Sequence, residues 1–353
     1  MRNYSVAVGL LFLGTTLGAI FAPELIPLPS GEELGAKRVA WGIWKGWVVS
    51  PILYFWVLLQ SIQTSKQVDK LMKSFMYSGA LLVMVSYGFG GWYEGFSDDG
   101  RLRGLFESAN YLSLYLSPAF LLATYFLFQR KKLRRGEFYL NGGAWLILAL
   151  GLFFTQSYGA FLGIFGALGL YVLVLLFKKP TWHKKLTISL VGVVILFGAL
   201  LASQWNTPKF QQMLDFSGRS SSSVRIEIYR TSLHMIAEKP FLGFGPGLFE
   251  ANYQINAPEV LGQAPLEWNM PHPHNVFLAF WLNAGLLGFL ALILLIVLVH
   301  GGFTYPLVAL WGVLIHGLVD VPFWKNDLAV IFWLLVVGVV VLQGVGKKNL
   351  CGK

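Results

Sequence analysis

Two arginines, Arg219 and Arg225, precede a histidine, His274, within one long polar stretch of a chain otherwise dominated by apolar runs. A guanidinium is always charged, and its planar fork takes the oxygens of a diphosphate in pairs. An imidazole ordinarily titrates near neutrality, which suits removal of a proton from a hydroxyl. Arginine and histidine together therefore suit group transfer from a diphosphate at a membrane surface. Ser221, Ser222 and Ser223 lie between the arginines and offer a helix N-cap, whose free backbone N–H groups also favour an anion. The sequence around Arg225 favours a functional role, Arg219 is open between function and a solvated charge, and Arg230 is expected to face solvent. His274 stands in Pro271-His272-Pro273-His274-Asn275, where the two prolines stiffen the approach to a long apolar helix.

Other candidates are weighed the same way. His272 and His274 could be a metal pair, but two residues of separation and no evident third ligand argue against it, so no metal is expected. Arg101, Arg103 and Asn110 lie at the outer end of an apolar run. Arg103 could be a further cation around a diphosphate, and Asn110, a polar side chain at membrane depth, could serve the site or helix packing. His316 and Asp320 are four residues apart, so on one helix they would share a face and form a pair, either lining a polar cavity or fixing the packing. The single Cys351 excludes an intramolecular disulfide and a thiolate metal site. With no nucleotide motif and no acidic metal cluster, no cofactor is expected.

The elements that must position these residues are membrane spans. The 353 residues are 56% hydrophobic and 12% charged, and soluble domains carry about twice that charge. Ten apolar runs are long enough to cross a hydrocarbon core of ~30 Å: approximately 5–22, 39–62, 74–92, 108–128, 138–155, 158–177, 186–205, 274–299, 302–319 and 327–346, with the weakest boundary near Gly301-Gly302. The first is read as a retained helix, because it lacks a strongly basic start and many spans follow.

Charge sets the expected orientation. Arg2, Lys66, Lys70, Lys73, Arg130, Lys131, Lys132, Arg134, Arg135, Lys178, Lys179, Lys184, Lys185, Lys347, Lys348 and Lys353 all fall on one side if the N-terminus is cytoplasmic, with only Asp69 and Glu137 against them. That bias predicts N-in and C-in. It also assigns the net charge of +10 to topology and anionic headgroups, not to nucleic acid.

The division expected is 1–205 as seven spans, 206–273 as a large outer loop, and 274–353 as three spans and a tail, all within one membrane domain. The loop holds seven of the 15 prolines, and a loop so long is usually functional. Ile226, Tyr229, Leu233 and Ile236 recur at helical spacing and predict an amphipathic helix lying on the membrane surface, stopped by Pro240.

These blocks resemble the O-antigen ligase and polymerase family of bacterial membrane glycosyltransferases. Arg225-Ile226-Glu227-Ile228-Tyr229, with Pro240-Phe241-Leu242-Gly243-Phe244-Gly245-Pro246-Gly247-Leu248-Phe249, is similar to its Arg, Trp, Pro-x-x-Gly-x-Gly-x-Gly-x-Phe loop pattern. His274-Asn275 with Asn283 and Gly285-Leu286-Leu287-Gly288 is similar to its His-Asn block. Arg103-Gly104-x-Phe106-x3-Asn110 and Thr155-Gln156-Ser157-Tyr158-Gly159-Ala160 resemble two shorter segments. Three positions depart: Tyr158 for an arginine, Tyr229 for Trp, and Asn283 where Glu is frequent.

The resemblance implies an all-α integral membrane protein of GT-C-like architecture in the bacterial cytoplasmic membrane, its site facing the periplasm. It implies metal-independent transfer of a glycan from undecaprenyl diphosphate to a hydroxyl of lipid A–core, with Arg225 on the diphosphate and His274 as base. A growing glycan or a protein as acceptor, and a flippase of lipid-linked sugars, are the alternatives. A flippase should show repeated halves or midplane charges, whereas the polar candidates here gather at the outer face.

Overall fold

The computed structural model describes residues 2–88, 95–129, 133–178, 180–215, 218–300 and 302–351. Of the orienting basic residues, Arg130, Lys131, Lys132, Lys179 and Lys353 lie outside the described residues, as do Gly301 and the end of the 74–92 run. The described residues are mainly helical, with a short antiparallel pairing of Ile26–Pro27 with Glu33–Leu34 and an isolated bridge between Phe96 and Leu102.

Among the described residues, seven helices are long and apolar enough to cross a membrane: Ala36–Ser61, Ala109–Phe128, Arg135–Thr155, Tyr158–Lys178, His183–Ser203, Val276–Val299 and Asn326–Gly346. The protein is an integral membrane protein. Tyr4–Ile20 and Tyr305–His316 are apolar but shorter, and the helix Ser65–Gly88, which holds the 74–92 run, begins in a charged turn with Lys66, Asp69, Lys70 and Lys73.

Contacts divide the chain into two compact units. The first comprises Met1–Trp56, Gln204–Gly301 and Gly317–Val330. Within it, Arg2–Ile20 packs closely along Val276–Val299. A Cβ on Gly14 would stand 2.5 Å from the Ala284 carbonyl, and this bare backbone lets the two helices approach. The 206–273 segment folds as part of this unit through Pro208–Leu214, Ser221–Glu238 and Phe249–Leu261.

The Ser221–Glu238 helix is capped one residue earlier than the serine run suggested. Ser220 Oγ accepts the Ser223 N–H at 3.1 Å. Its buried face is Ile228, Thr231, Ser232 and Met235, which corrects the expected stripe: Ile226 and Leu233 are exposed. Ile228 and Met235 instead join Phe244, Phe249, Tyr253 and Leu282 in a shared core. The helix is held by protein on that side, and the sequence period could not tell a face toward protein from one toward lipid.

The second unit comprises Val57–Ser203, Gly302–His316 and Ile331–Lys353. Its helices also cross at small residues. A Cβ on Gly163 would meet the Gly312 carbonyl at 2.6 Å and His316 Cβ at 3.0 Å. The turn joining Arg135–Thr155 to Tyr158–Lys178 places Gln156 in the left-handed region, at φ 46°.

Candidate active site

The site grows from the end of the long loop. Asn275 caps the Val276–Val299 helix, its Oδ1 accepting the N–H groups of Phe277 at 2.9 Å and Leu278 at 3.2 Å. That is the service an N-cap asparagine performs for orphan helix donors. Its Nδ2 donates to the Leu318 carbonyl at 3.0 Å, and the Val276 N–H donates to the Gly317 carbonyl at 2.7 Å. The segment after residue 316 is thereby pinned to the helix start.

Immediately before the cap, His274 adopts φ 47°, a left-handed conformation that costs a non-glycine residue roughly 1–2 kcal/mol. Two contacts hold it there. Tyr229 Oη donates to the His274 carbonyl at 3.0 Å, and the His274 N–H donates to His272 Nδ1 at 3.3 Å.

The same segment brings Asp320 to the histidines. His274 Nδ1 is 3.7 Å, and His272 Nε2 3.8 Å, from Asp320 Oδ1. These are ion-pair separations, slightly longer than a direct hydrogen bond. Asp320 is 2% exposed, and its Oδ1 also accepts the Val321 N–H at 2.9 Å. The expected sharing of one helix face by His316 and Asp320 does not occur. The helix Tyr305–His316 ends at His316, and residues 317–320 leave it as a turn, with Pro322 soon after. His316 is buried in the second unit against Gly163.

The arginines differ. Arg225 Nε is buried with no hydrogen-bond partner among the described residues. Its charge acts on both His272 and Tyr229. Arg219 is exposed and paired with Glu267. Burial first, then the neighbouring His274 and Arg225, pushes His272 down to about 3, although Asp320 opposes the shift. His272 is therefore neutral at ordinary pH. Burial raises Tyr229, with Arg225 opposing and Asp320 reinforcing, so its phenol keeps the proton it donates.

A third potential metal ligand does exist. Ligand atoms of His272, His274 and Asp320 lie within 4.8 Å of one another, and sequence spacing hid this because Asp320 comes from another segment. His272 Nδ1 also accepts the His274 N–H, which engages one of its two ring nitrogens.

The glycine motif is a clamp on the same helix. Gly285 interrupts Val276–Val299 at φ 62° and ψ −161°, and the Phe244 N–H donates to the Leu282 carbonyl at 2.7 Å. A Cβ on Gly243 would stand 2.6 Å from the carbonyls of Trp281 and Leu282. Asn283 Oδ1 accepts the Gly247 N–H at 2.8 Å, and its Nδ2 donates to the Ala279 carbonyl at 2.8 Å. The asparagine thus ties the loop to the helix.

In the second unit, Arg101 is buried. It donates through Nε to the Thr155 carbonyl at 2.8 Å and through a terminal nitrogen to Asn110 Oδ1 at 2.7 Å. Asn110 therefore has a structural partner. Arg103 is half-buried, and its backbone N–H donates to the Gly95 carbonyl at 3.0 Å. Sequence reasoning missed the parts of His272, Tyr229 and Arg101. The prolines flanking His272 and the aromatic one helical turn after Arg225 were the available signals for the first two.

The span of residues 143–293 matches the family model described as O-antigen ligase, and it contains Arg225, the glycine loop, His274 and Asn283. This part of the chain is similar to the O-antigen ligase family. A Rickettsia conorii protein provisionally named a polysaccharide ligase is 30% identical over 154 residues, 43% of this chain and 36% of the relative. The match thus spans about a third of that relative's length. Asp320, Arg103 and Asn110 fall outside the O-antigen ligase match.

Proposed function

We propose that this protein transfers a glycan from undecaprenyl diphosphate to an acceptor hydroxyl at the periplasmic face of the bacterial cytoplasmic membrane, in the manner of an O-antigen ligase with lipid A–core as acceptor. What supports the reading is a candidate base together with a buried guanidinium nitrogen. His274 has Nδ1 toward the Asp320 carboxylate, and Arg225 Nε is buried without a hydrogen-bond partner among the described residues. A buried donor left unpaired is costly, and an anionic ligand would satisfy it.

In the proposed step His274 Nε2 takes the acceptor proton, and the acceptor oxygen bonds to the anomeric carbon. The bond from that carbon to the diphosphate oxygen breaks, and the diphosphate leaves with its electron pair beside Arg225. Asp320 holds the imidazole with Nδ1–H inward and stabilises the imidazolium that forms. Proton and leaving-group charge are both carried by side chains, so the step is written without a metal or cofactor.

The test is transfer from a purified lipid-diphosphate oligosaccharide in detergent, with EDTA present and with lipid A–core, a second lipid-linked glycan and a Ser/Thr peptide offered separately. Transfer to lipid A–core, abolished in His274→Ala and Arg225→Ala while both variants stay folded, is the expected result. Transfer to a different acceptor would revise the acceptor, and wild-type rates in either variant would overturn the assignment.

A further inference from the structure

We infer that His272 is a positioning residue, one side chain that holds both the backbone of the base His274 and the carboxylate of Asp320 that orients it. This rests on the proposed role of His274, but its geometry stands apart from any activity. The ring of His272 has two faces of contact. Nδ1 accepts the His274 N–H at 3.3 Å, and this bond is needed because His274 sits at φ 47°. Nε2 points to Asp320 Oδ1 at 3.8 Å. The two rings stand edge-on, with centroids 4.3 Å apart.

The proton assignments follow from connectivity. With Nδ1 accepting, the neutral His272 ring carries its hydrogen on Nε2 and donates toward Asp320. On the other side Asp320 Oδ1 faces His274 Nδ1 at 3.7 Å, beyond hydrogen-bond length, and in the proposed arrangement that nitrogen carries the hydrogen. His274 is left with Nε2 bare, the form a general base requires. Burial, reinforced by His274 and Arg225, keeps His272 uncharged although Asp320 opposes it, so it works as a dipole and not as a second acid or base.

Pro271 and Pro273 fit this task. They flank His272, fix φ on either side and limit how far the ring can swing. The Pro-His-Pro-His run is thus a rigid bracket for two imidazoles with different duties.

Two measurements test the inference. The first needs no turnover: side-chain 15N chemical shifts in protein labelled at its six histidines. His272 is expected as the Nε2–H tautomer and His274 as Nδ1–H, and Asp320→Asn is expected to move both signals. His272 in the Nδ1–H form would overturn the proposal even if no transfer were ever detected.

The second measurement is a double-mutant cycle on transfer rate. His272→Ala is expected to lower kcat about 10–100-fold with KM for the lipid-linked donor unchanged. His272→Gln, whose amide nitrogen still reaches Asp320, is expected to restore most of the rate. In an Asp320→Asn background, His272→Ala should cost little more, because the two act as a unit. Additive losses, or loss of donor binding in place of kcat, would overturn it. So would a wild-type enzyme that loses activity to EDTA and regains it with zinc, since the trio would then be a metal set. Thermal melting of each variant separates a lost fold from a lost orientation.

Discussion

Tyr229 donates its hydroxyl to the carbonyl of His274 at 3.0 Å and also approaches the Leu318 carbonyl at 3.4 Å. One phenol thus ties the amphipathic helix, the histidine loop and the segment bearing Asp320. Removing the hydroxyl takes the donor from the His274 carbonyl, worth about 1 kcal/mol, while the Leu318 carbonyl keeps Asn275 Nδ2. Tyr229→Phe is expected to lower the melting temperature by a few degrees and to reduce transfer several-fold. Tyr229→Trp, which keeps a large ring and an N–H donor, is expected to retain more activity. Parallel melting and transfer assays on the two variants check this, and a Phe variant indistinguishable from wild type would remove Tyr229 from the scaffold of the site.

Asn275 joins local structure to the site in the same way. Its Oδ1 caps a helix and its Nδ2 holds Leu318, two residues from Asp320. Asn275→Ala loses both, and cap loss alone costs about 1 kcal/mol. Asn275→Asp keeps the cap and loses only the donor to Leu318. Aspartate should therefore recover thermal stability but not the full transfer rate. Equal recovery of both would show that the Leu318 contact does not matter to catalysis.

How much of this was legible in the sequence depends on whether the signal was local. The long apolar helices follow from hydropathy, and the marginal runs 5–22 and 302–319 form shorter apolar helices. Arg225, His274 and the glycine loop stand out in the sequence because each lies in a short motif. Asp320 was singled out, but as continuing the helix of His316, which ends at that residue. Residue spacing assumes that a helix continues, and the chain turned at residue 317. The buried stripe of Ser221–Glu238 was misplaced because Ile226 and Leu233 are as apolar as Ile228 and Met235, and only tertiary packing chooses among them. Arg219 resembled Arg225 on paper, and its Glu267 partner is distant in sequence.

The state of His272 makes stability depend on pH. Its folded value lies near 3, against an ordinary histidine near 6.5. Below about pH 6.5 the unfolded chain takes up a proton that the folded ring refuses, so the unfolded state binds more protons and folded stability falls as pH falls. The loss should build between about pH 6.5 and 3. His272→Asn removes the titrating ring and should flatten that part of a plot of melting temperature against pH. An unchanged slope in the variant would assign the acid sensitivity to other groups.

Gly243 tests the clamp between loop and kinked helix. It adopts φ 66°, and a Cβ would stand 2.6 Å from two carbonyl oxygens of the helix. Neither oxygen can retreat without bending the backbone around Gly285. Gly243→Ala is expected to cut the yield of folded, monodisperse protein sharply. Gly192→Ala, where a Cβ would meet nothing within 4 Å, serves as the control and is expected to be neutral or slightly stabilising, because alanine favours a helix. Size-exclusion profiles from matched preparations compare the two.

The two loop arginines give the sharpest contrast. Arg219 is exposed and already paired with Glu267, and exposed pairs contribute about 0–1 kcal/mol. Arg225 is half-buried beside His272 and Tyr229 with Nε unsatisfied. Arg219→Ala is therefore expected to change transfer by less than about threefold, whereas Arg225→Ala should remove most donor binding and turnover. Arg225→Lys keeps the charge but not the fork, and it should fall between wild type and alanine, because a diphosphate is held through paired oxygens. Binding of the lipid-diphosphate donor to the three variants, measured separately from turnover, decides the matter. If Arg219→Ala abolishes binding and Arg225→Ala does not, the anion sits at the outer end of the helix, near Glu267, and the placement of the diphosphate beside His274 fails.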